Sequence, residues 1–291
     1  MAKQIIHSLV AKDGKYIVMP PWKEAQQGWG NLAHPNPLLA GGDSQQQYPT
    51  NTKFVDFDRT FIYGYCSTKS NAAVKSNTAL FNYNTPINTC TWGDTAGVAG
   101  DTVCPFITSD LTGYTTVAVN YFAGGYLMPR SANPYGSYRV VSNTVYNGGA
   151  STDGDETDFV IESPGLQAAV DASSAYCYIS RNPYTSLIAN WLGGDTISYA
   201  SAMGVSLIDP TASTYQWIQS WGPVFMLGDE AGGKAANLRL AAFHYDGTLY
   251  AGAELDFTTT SQYQMAGYII DYTYVASAGV YGALIQLQLE R

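Results

Sequence analysis

The sequence is poor in charged side chains. Lysine, arginine, aspartate and glutamate make up 13% of its 291 residues, about half the ~25% usual in soluble proteins. A helical bundle covers its outer faces with these residues, so the shortage excludes an all-helical fold. Basic residues are the scarcest, with 14 against 23 acidic ones and a formal net charge of −9. Because no run of lysine and arginine is available to neutralise phosphates, we expect no nucleic-acid binding.

Long apolar runs and a leader pattern are also missing. No stretch approaches the ~18 apolar residues that a membrane span needs. The start, Met1 to His7, shows neither the apolar core nor the cleavage pattern of a signal peptide. We therefore expect a protein that has no membrane contact and that is made and folded in a cytosol.

The usual catalytic motifs are absent from the sequence. It contains no GxSxG elbow, no phosphate-binding loop, no GxGxxG and no HExxH. His7, His34 and His244 lie far apart, which is typical of surface or capping histidines rather than of metal ligands. A Ser-His-Asp triad is compatible with any order of residues, but nothing in the sequence favours one.

The cysteines show no CxxC spacing, which excludes zinc ribbons and thioredoxin-like chemistry. They are Cys66, Cys90, Cys104 and Cys177. In a reducing compartment we expect buried free thiols. The alternative is a Cys90–Cys104 disulfide, formed after release from the cell, that closes the Gly/Thr-rich loop between them.

Two groups of carboxylates are candidates for chemistry. The segment from Asp153 to Asp158 holds four acidic residues in six, which could bind calcium through oxygen ligands, although it departs from the EF-hand pattern. The alternative is a solvated acidic turn. Asp56 and Asp58 are two residues apart on a predicted strand, and a glycosidase could use such a pair; an outward-facing polar edge is the simpler interpretation. We predict no catalytic residue, no cofactor and no metal ligand.

Short patterns of alternating apolar and polar residues recur from Lys53 onward and predict strands. The predicted strands cover 55–63, 115–122, 126–128, 138–141, 158–161, 175–179, 215–221, 224–227 and 283–290. Gly222-Pro223 is expected to break the chain between two of them, and helix is expected only in Ser186–Trp191 and Ala235–Phe243. Since no repeat of fixed period is present, the sequence predicts an all-β fold, an antiparallel β-sandwich or barrel.

Residues 1–52 have a different composition from the rest. Prolines and glycines recur through the segment and forbid a long helix. Trp22, Trp29, Leu38 and Leu39 are too apolar for a solvated linker. We interpret 1–52 as an extended, irregular arm that buries these four residues on a partner; the alternative is an irregular layer over the protein's own core. Residues 53–291 form the predicted β-rich domain; the alternative is two β-domains that meet near 150.

Tryptophan and tyrosine are abundant, at six and 23 residues. Both combine a large apolar body with a polar tip, which suits protein interfaces and sugar-stacking platforms. Tyr215, Trp217 and Trp221 lie on one face of a predicted strand. They are interpreted as core residues, with a stacking platform as the alternative.

Several short motifs occur in an order that resembles a known group of proteins. They are the strand Phe57–Tyr63, the Gly124-Gly125 hairpin leading to Ser137–Val140, the Asn182-Pro183-Tyr184 turn, Met203-Gly204-Val205, and Tyr215–Pro223. This order resembles virion structural proteins of tailed bacteriophages that are encoded near the major capsid protein and are often assigned as head decoration, or cement, proteins. The resemblance covers roughly 53–291 and implies no catalytic residue.

Composition and resemblance lead to one main expectation. The chain is predicted to be a virion protein of the phage head that binds the major capsid protein, associates with itself as a trimer or dimer, and stabilises the lattice through many weak contacts. Two alternatives stay open. One is another virion component, a capsid shell or tail protein, although no long spine helix is predicted. The other is a carbohydrate-binding or receptor-binding module.

Overall fold

The computed structural model describes 8–10, 15–18, 35–38, 41–69, 76–82, 88–93, 95–107, 116–129, 136–147, 156–171, 176–189, 201–228, 239–244, 246–251, 264–275 and 280–290. These residues form strands connected by turns, with one short 3-10 helix at Pro183–Thr185. The all-β prediction is confirmed.

The described chain divides into two compact units, described separately below. Described residues between 84 and 182 form the insert unit, and those before 84 and after 182 form the main unit. Residue 150 lies outside the described residues, and a subdivision near it stays a prediction.

The insert unit contains eight of the strands. They are β6 (Asn88–Thr91), β7 (Val103–Ile107), β8 (Thr116–Val117), β9 (Tyr126–Pro129), β10 (Tyr138–Asn143), β11 (Tyr146–Asn147), β12 (Glu156–Ile161) and β13 (Tyr176–Ser180). Six of them pair in the order β6-β13-β9-β10-β12-β7, and β8 pairs with β11. A bridge between Trp92 and Phe106 joins the two ends of this six-stranded order, so the strands close into an antiparallel barrel.

Alternate residues of these strands fill the insert barrel. Trp92, Phe106, Leu127, Phe159 and Ile179 are fully buried in one cluster. Phe106 packs edge-on against Trp92 and Phe159, with centroids 5.2 and 5.0 Å away. Closure leaves these paired strands without a free edge, and aromatic volume takes up the interior.

The main unit contains the other twelve strands, all in one sheet. They are β1 (Ser8–Val10), β2 (Tyr16–Val18), β3 (Lys53–Asp56), β4 (Arg59–Lys69), β5 (Thr78–Asn82), β14 (Leu187–Ala189), β15 (Ala202–Ser206), β16 (Thr214–Gly228), β17 (Leu240–Phe243), β18 (Leu249–Ala251), β19 (Gln264–Val275) and β20 (Val280–Gln288). Strands β1 and β2 lie within 1–52 and pair onward to β3. Regular structure therefore reaches into the segment predicted as an irregular arm.

Part of the main sheet closes into a first ring. Strands β4, β14, β5, β15 and β16 pair in succession, and β16 pairs back with β4. Each of the five strands contributes a residue to one hydrophobic cluster, which contains Ile62, Leu80, Leu187, Ile218 and the partly buried Met203. These side chains fill the interior of the ring.

A second ring uses the other half of β16. Its C-terminal half pairs with β20, and the order continues through β19, β17 and β18 back to Gly228 of β16. The apolar side of this ring, including Val224, Ile269 and Ile285, packs with Phe81 and Val205 from β5 and β15. The second ring is thus packed on residues that belong to the first.

Strand β16 is 15 residues long and belongs to both rings. At its centre, Trp221 is the register partner of Thr60 on β4 and of Gln288 on β20. The register with β4 shifts between Gln219 and Trp221, and the Gln219 amide donates to the carbonyls of Trp221 and Pro223 at 3.0 and 2.9 Å. This bulge redirects the strand from one ring to the other.

Several predicted elements differ from the structure. Gly222-Pro223 does not break the strand, because Gly222 takes a φ of +95° and Pro223, which has no N–H, sits beside the bulge. Both predicted helices are wrong in their described parts: Leu187–Ala189 and Leu240–Phe243 are strands. Apolar runs this short do not distinguish a helix from a buried strand.

Two predicted strands also contain turns. The strand predicted over 55–63 is a hairpin, with β3 ending at Asp56 and β4 beginning at Arg59. Of 115–122, only Thr116–Val117 is a strand among the described residues, because Asn120 takes a left-handed φ of +62° in the turn that follows. Buried Asn143 holds that turn by accepting from the Phe122 N–H at 2.8 Å.

Gly222 provides a test of the shared strand. A Cβ there would lie 2.1 Å from the Asp58 carbonyl oxygen, so Gly222→Ala is expected to lower the free energy of unfolding by at least about 2 kcal/mol, the cost of a left-handed alanine plus the clash. The control is Gly41→Ala, which has a φ of +80° and no atom within 4 Å and should lose less than about 1 kcal/mol. Equal losses in chemical denaturation would contradict the close packing of Gly222.

Candidate functional site

The four predicted contact residues are not brought together by the described structure. Trp22, Trp29 and Leu39 lie outside the described residues. Leu38 is 67% exposed, in a turn where its N–H donates to the Asn36 side chain at 3.1 Å. Whether these residues bind a partner stays a prediction.

The end of the predicted arm covers the protein's own core. Asp43 forms a backbone bridge to Tyr215 on β16, with N···O distances of 2.7 and 2.8 Å. Tyr48 is buried and packs edge-on against Tyr63 and Trp217, with centroids 5.2 and 5.0 Å away. For 41–52, the structure agrees with the interpretation of an irregular layer over the core.

The aromatic residues of β16 belong to this covered layer rather than to an open platform. Trp217 is 3% exposed and contacts the rings of Tyr63 and Phe54. Tyr215 is half-buried and stacks on Tyr63 at 5.9 Å with an interplanar angle of 10°. Trp221, beyond the bulge, is also half-buried. The core interpretation is confirmed for Trp217.

Buried tyrosine hydroxyls hold this layer in place. The Tyr63 hydroxyl donates to the Asp43 carboxylate at 2.7 Å and accepts from the Gln47 N–H at 3.2 Å. Burial, with the nearby Asp43 charge, raises the pKa of Tyr48 to about 12, and burial likewise raises the pKa of Tyr63. Both hydroxyls therefore stay protonated at neutral pH, and the Tyr63 hydroxyl can donate its hydrogen bond to Asp43.

The two carboxylates considered as a glycosidase pair lie in different parts of the β3–β4 hairpin. Asp56 ends β3 and accepts from Arg59 at 2.7 Å and Lys15 at 3.5 Å, whereas Asp58 lies exposed in the turn. The two residues therefore do not share a strand face, because the chain reverses between them. Arg59 and Lys15 account for the position of the Asp56 carboxylate.

The acidic segment 153–158 is only partly described. Its first three residues lie outside the described residues, and Glu156 begins β12, so Asp158 belongs to a strand and not to a turn. Within the described ranges, no three His, Cys, Asp or Glu side chains are grouped so as to hold a metal ion.

The cysteines with described side chains are buried free thiols. These are Cys66, Cys104 and Cys177. Burial, with smaller contributions from Cys177 and nearby carboxylates, raises the pKa of Cys104 to about 12, which makes it unreactive. Because Cys104 is free, the alternative of a Cys90–Cys104 disulfide is not found.

His244 is the one predicted histidine within the described ranges. It lies in the turn between β17 and β18, with Nδ1 3.1 Å from the Asp246 carboxylate and its ring stacked on Tyr250 at 5.5 Å. Asp246 also accepts from the N–H and hydroxyl of Thr248. Burial alone would raise the pKa of Asp246, but these hydrogen bonds outweigh it and the pKa is lowered. The pair therefore acts as a turn lock.

The turn lock should depend on pH. Since the folded-state pKa of Asp246 is lowered from 3.8, its stabilisation is complete above about pH 4 and is lost as the pH falls through the folded-state value. Asp246→Ala is expected to lower the free energy of unfolding by about 1 kcal/mol at pH 7 and by less at pH 3. Asp246→Asn, which keeps an acceptor without the charge, is the control. The free energy of unfolding is measured by urea denaturation at both pH values. If Asp246→Ala loses the same amount at pH 7 and at pH 3, the assignment is contradicted.

An apolar surface lies on the outward side of the second ring. We call it the outer apolar face; its residues are Phe225, Leu240, Met265, Tyr268, Ile270 and Leu284, each 36–46% exposed. Phe225 on β16 is the direct partner of Leu284 on β20, and Leu240 on β17 is that of Tyr268 on β19. Outward positions of such a sheet are normally polar, so this apolar face is the candidate for an interaction surface.

Local structure explains why this face exists. The register of β19 with β20 shifts between Ile269 and Asp271, so the two successive residues Ile270 and Asp271 are both exposed. A Cβ at Gly282 would lie 2.2 Å from the Phe225 ring, which shows that the ring rests against the backbone of β20. The Phe225 side chain is thus held by the sheet rather than projecting freely.

A second exposed apolar group stands at the tip of the β3–β4 hairpin. Phe57 is 75% exposed and has a φ of +56°, at the first of two central positions of the turn. In hairpins this position is normally glycine when its φ is positive. A bulky residue in this conformation costs of order 1–2 kcal/mol, and its exposed ring contributes little packing in return.

The cost at Phe57 can be measured. Phe57→Gly removes the strain but adds about 0.5–1 kcal/mol of unfolded-state entropy, so the free energy of unfolding should stay unchanged or rise by up to about 1 kcal/mol. Phe57→Ala, which keeps the unfavourable conformation, is the control and should show no gain. A loss above 1 kcal/mol for Phe57→Gly in chemical denaturation would show that Phe57 serves the fold.

The sequence patterns indicated some of these surface residues. Alternation in β20 placed Leu284 opposite the buried Ala283 and Ile285, as observed. Ile270 was not recognised as a surface group, because a bulge leaves no local signal. Phe57 was missed because the alternation through 55–63 favours a strand, although Asp56 and Asp58 beside it are turn residues.

Comparison with protein-family models, curated proteins and solved structures found no match to this chain. The described residues also contain no helix with the length and apolar content that a membrane crossing requires.

Proposed function

We propose that the protein is a non-catalytic structural component of a tailed-phage virion that binds the major capsid protein and stabilises the head lattice. The outer apolar face is the observation that carries this proposal. The resemblance of the sequence motifs to phage head proteins supplies the identity of the partner.

The character of the face fits a protein partner. Four strands contribute to it, and its six members carry no charge. Asp271, which follows Ile270 and is exposed, is a charged residue adjoining it. Arg239, which precedes Leu240, also adjoins the face and donates to the Ile270 carbonyl at 3.3 Å. Apolar surface with a polar and charged rim is the composition of protein–protein interfaces.

The rigidity of the face fits a lattice contact. Three of its strands, β17, β19 and β20, are paired on both sides, and its inward neighbours, such as Ile269 and Ile285, are core residues. A preformed surface loses little conformational entropy on binding. On a symmetric lattice, moderate affinity per copy suffices, because self-association as a trimer or dimer would multiply the contacts.

The described titratable groups also favour a structural role. Buried Tyr184 donates to the Glu290 carboxylate at 2.8 Å, and Lys53 pairs with the same carboxylate at 3.0 Å. Asp43, Asp56 and the turn lock are likewise engaged in holding segments together. Such interactions are expected of a protein whose task is to keep its shape.

The proposal is tested by binding to particles that lack this protein. Purified wild-type chain is mixed with heads of the encoding phage that were assembled without it, and the bound fraction is measured by sedimentation and quantitative mass spectrometry. The double variant Ile270→Ser/Leu284→Ser is expected to weaken binding at least tenfold, since it removes the centre of the outer apolar face.

The control is Val119→Ser/Val145→Ser, which changes two residues of the insert unit with 58% and 54% exposure. It should bind as wild type does, and all variants should show wild-type thermal unfolding. If the wild-type chain does not bind the particles, the proposed function is overturned. If the Ile270→Ser/Leu284→Ser variant binds as well as wild type, the outer apolar face is not the contact surface.

A further inference from the structure

Two cysteines of the insert unit occupy directly opposite positions on neighbouring strands. Cys90 on β6 is the register partner of Cys177 on β13, within an antiparallel pairing that covers the whole of β6. Directly opposed residues of antiparallel strands share one face of the sheet, and their Cα atoms are about 4.5–5.5 Å apart. A disulfide needs Cα atoms about 4.4–6.8 Å apart. The register therefore meets the backbone requirement for a bond between these two residues.

The face that the two positions share is the inside of the insert barrel. Cys177 is fully buried in the same cluster as Phe106, Phe159 and Ile179, whereas Tyr178, the next residue along β13, is half-buried. A thiol enclosed by apolar side chains is inert toward dissolved reagents. The pair is therefore protected for as long as the barrel stays closed.

The third cysteine of the insert unit, Cys104, is poorly placed to compete. It lies on β7, and the bridge between Trp92 and Phe106 puts β6 between β7 and β13. Strands two places apart are separated by about 9.5 Å, beyond the ~7 Å between Cα atoms that a disulfide can span. Because the bridge is antiparallel, Cys90 and Cys104, which each precede a bridge residue, lie on opposite sides of it.

Strand β6 provides a route by which an oxidant reaches the pair. One edge of β6 pairs with β13 over 4 residues, while its other side is joined to β7 at the Trp92–Phe106 bridge that follows the strand. Segments held by few backbone pairings open locally at a lower free energy than the whole protein unfolds. Such an opening exposes both positions at once.

We propose that Cys90 and Cys177 are an oxidisable pair, kept as two thiols in a reducing cytosol and converted to a disulfide by a small-molecule disulfide such as oxidised glutathione. One thiolate attacks a sulfur of the oxidant and releases the first glutathione as a thiol. The other thiolate then attacks the mixed disulfide and releases the second glutathione. The two protons and two electrons that the protein loses are carried by the two glutathione thiols.

The disulfide would fix β6 on the barrel. It links β6 covalently to β13 and closes a loop of about 90 residues, a length at which a cross-link restricts the unfolded chain strongly. The oxidised protein is therefore expected to be more stable than the reduced protein. This inference does not depend on the proposed function, since it concerns the insert unit alone.

The experiment locates the bond directly. The full chain is incubated in its folded state with oxidised glutathione, then denatured; its remaining thiols are alkylated, and unreduced peptides are identified by mass spectrometry. Peptides linked through Cys90 and Cys177 are expected, with Cys66 and Cys104 alkylated. The thermal midpoint of the oxidised protein should lie about 5 °C or more above that of the reduced protein.

Three variants serve as controls. Cys90→Ala and Cys177→Ala should each abolish the linkage and the dependence of the thermal midpoint on oxidation, and the first remains informative if the second, at a buried position, fails to fold. Cys66→Ala removes a buried thiol of the main unit and should keep both effects.

Three results would overturn the proposal. If folded wild type forms no Cys90–Cys177 linkage, the pair is not oxidisable. If the linkage includes Cys104, the register does not decide which cysteines pair. If the expected linkage forms without raising the thermal midpoint, the bond does not stabilise the barrel.

Discussion

The main unit depends on one strand with two sets of partners. The N-terminal half of β16 completes the first ring by pairing with β4, and its C-terminal half pairs with β20 in the second. The change of partner is made by the bulge at Ser220 and the left-handed Gly222. The Ser220 hydroxyl also donates to the Glu290 carbonyl at 2.7 Å, which fixes the end of the chain at the same point. Both rings and the surfaces that they present therefore follow from the geometry of these few residues.

Much of the strand content was predictable because alternation reports directly which side of a sheet is buried. The β9–β10 pair and the final strand, with Ala283, Ile285 and Leu287 buried, follow their patterns. Closure into rings was not predictable, since it rests on pairings between strands far apart in sequence, such as β4 with β16. Hydrophobic patterns specify a face, but they do not specify a neighbour.

The outer apolar face could not be predicted from the sequence for the same reason. The sequence directed attention to Trp22, Trp29, Leu38 and Leu39, of which the structure describes only Leu38. The outer apolar face arises from residues of β16, β17, β19 and β20 that meet only in the folded sheet, with Phe225 opposite Leu284. Phe57 was placed inside a continuous strand, because apolar and polar residues alternate through 55–63 and this pattern outweighed the aspartates on either side of it, which also occur in turns. Local rules fail at the positions where the surroundings impose a conformation.

The register of β5 with β14 has a consequence for how this chain can vary. Asn82, where the chain leaves the main unit, and Leu187, just after its return, are direct partners on adjacent antiparallel strands. In topological terms the insert unit is the loop of a hairpin, and a short turn could replace it without any change in the pairing of the main sheet. Such a junction is a natural point for the exchange of whole modules, through which related chains could gain or lose a barrel while keeping one scaffold.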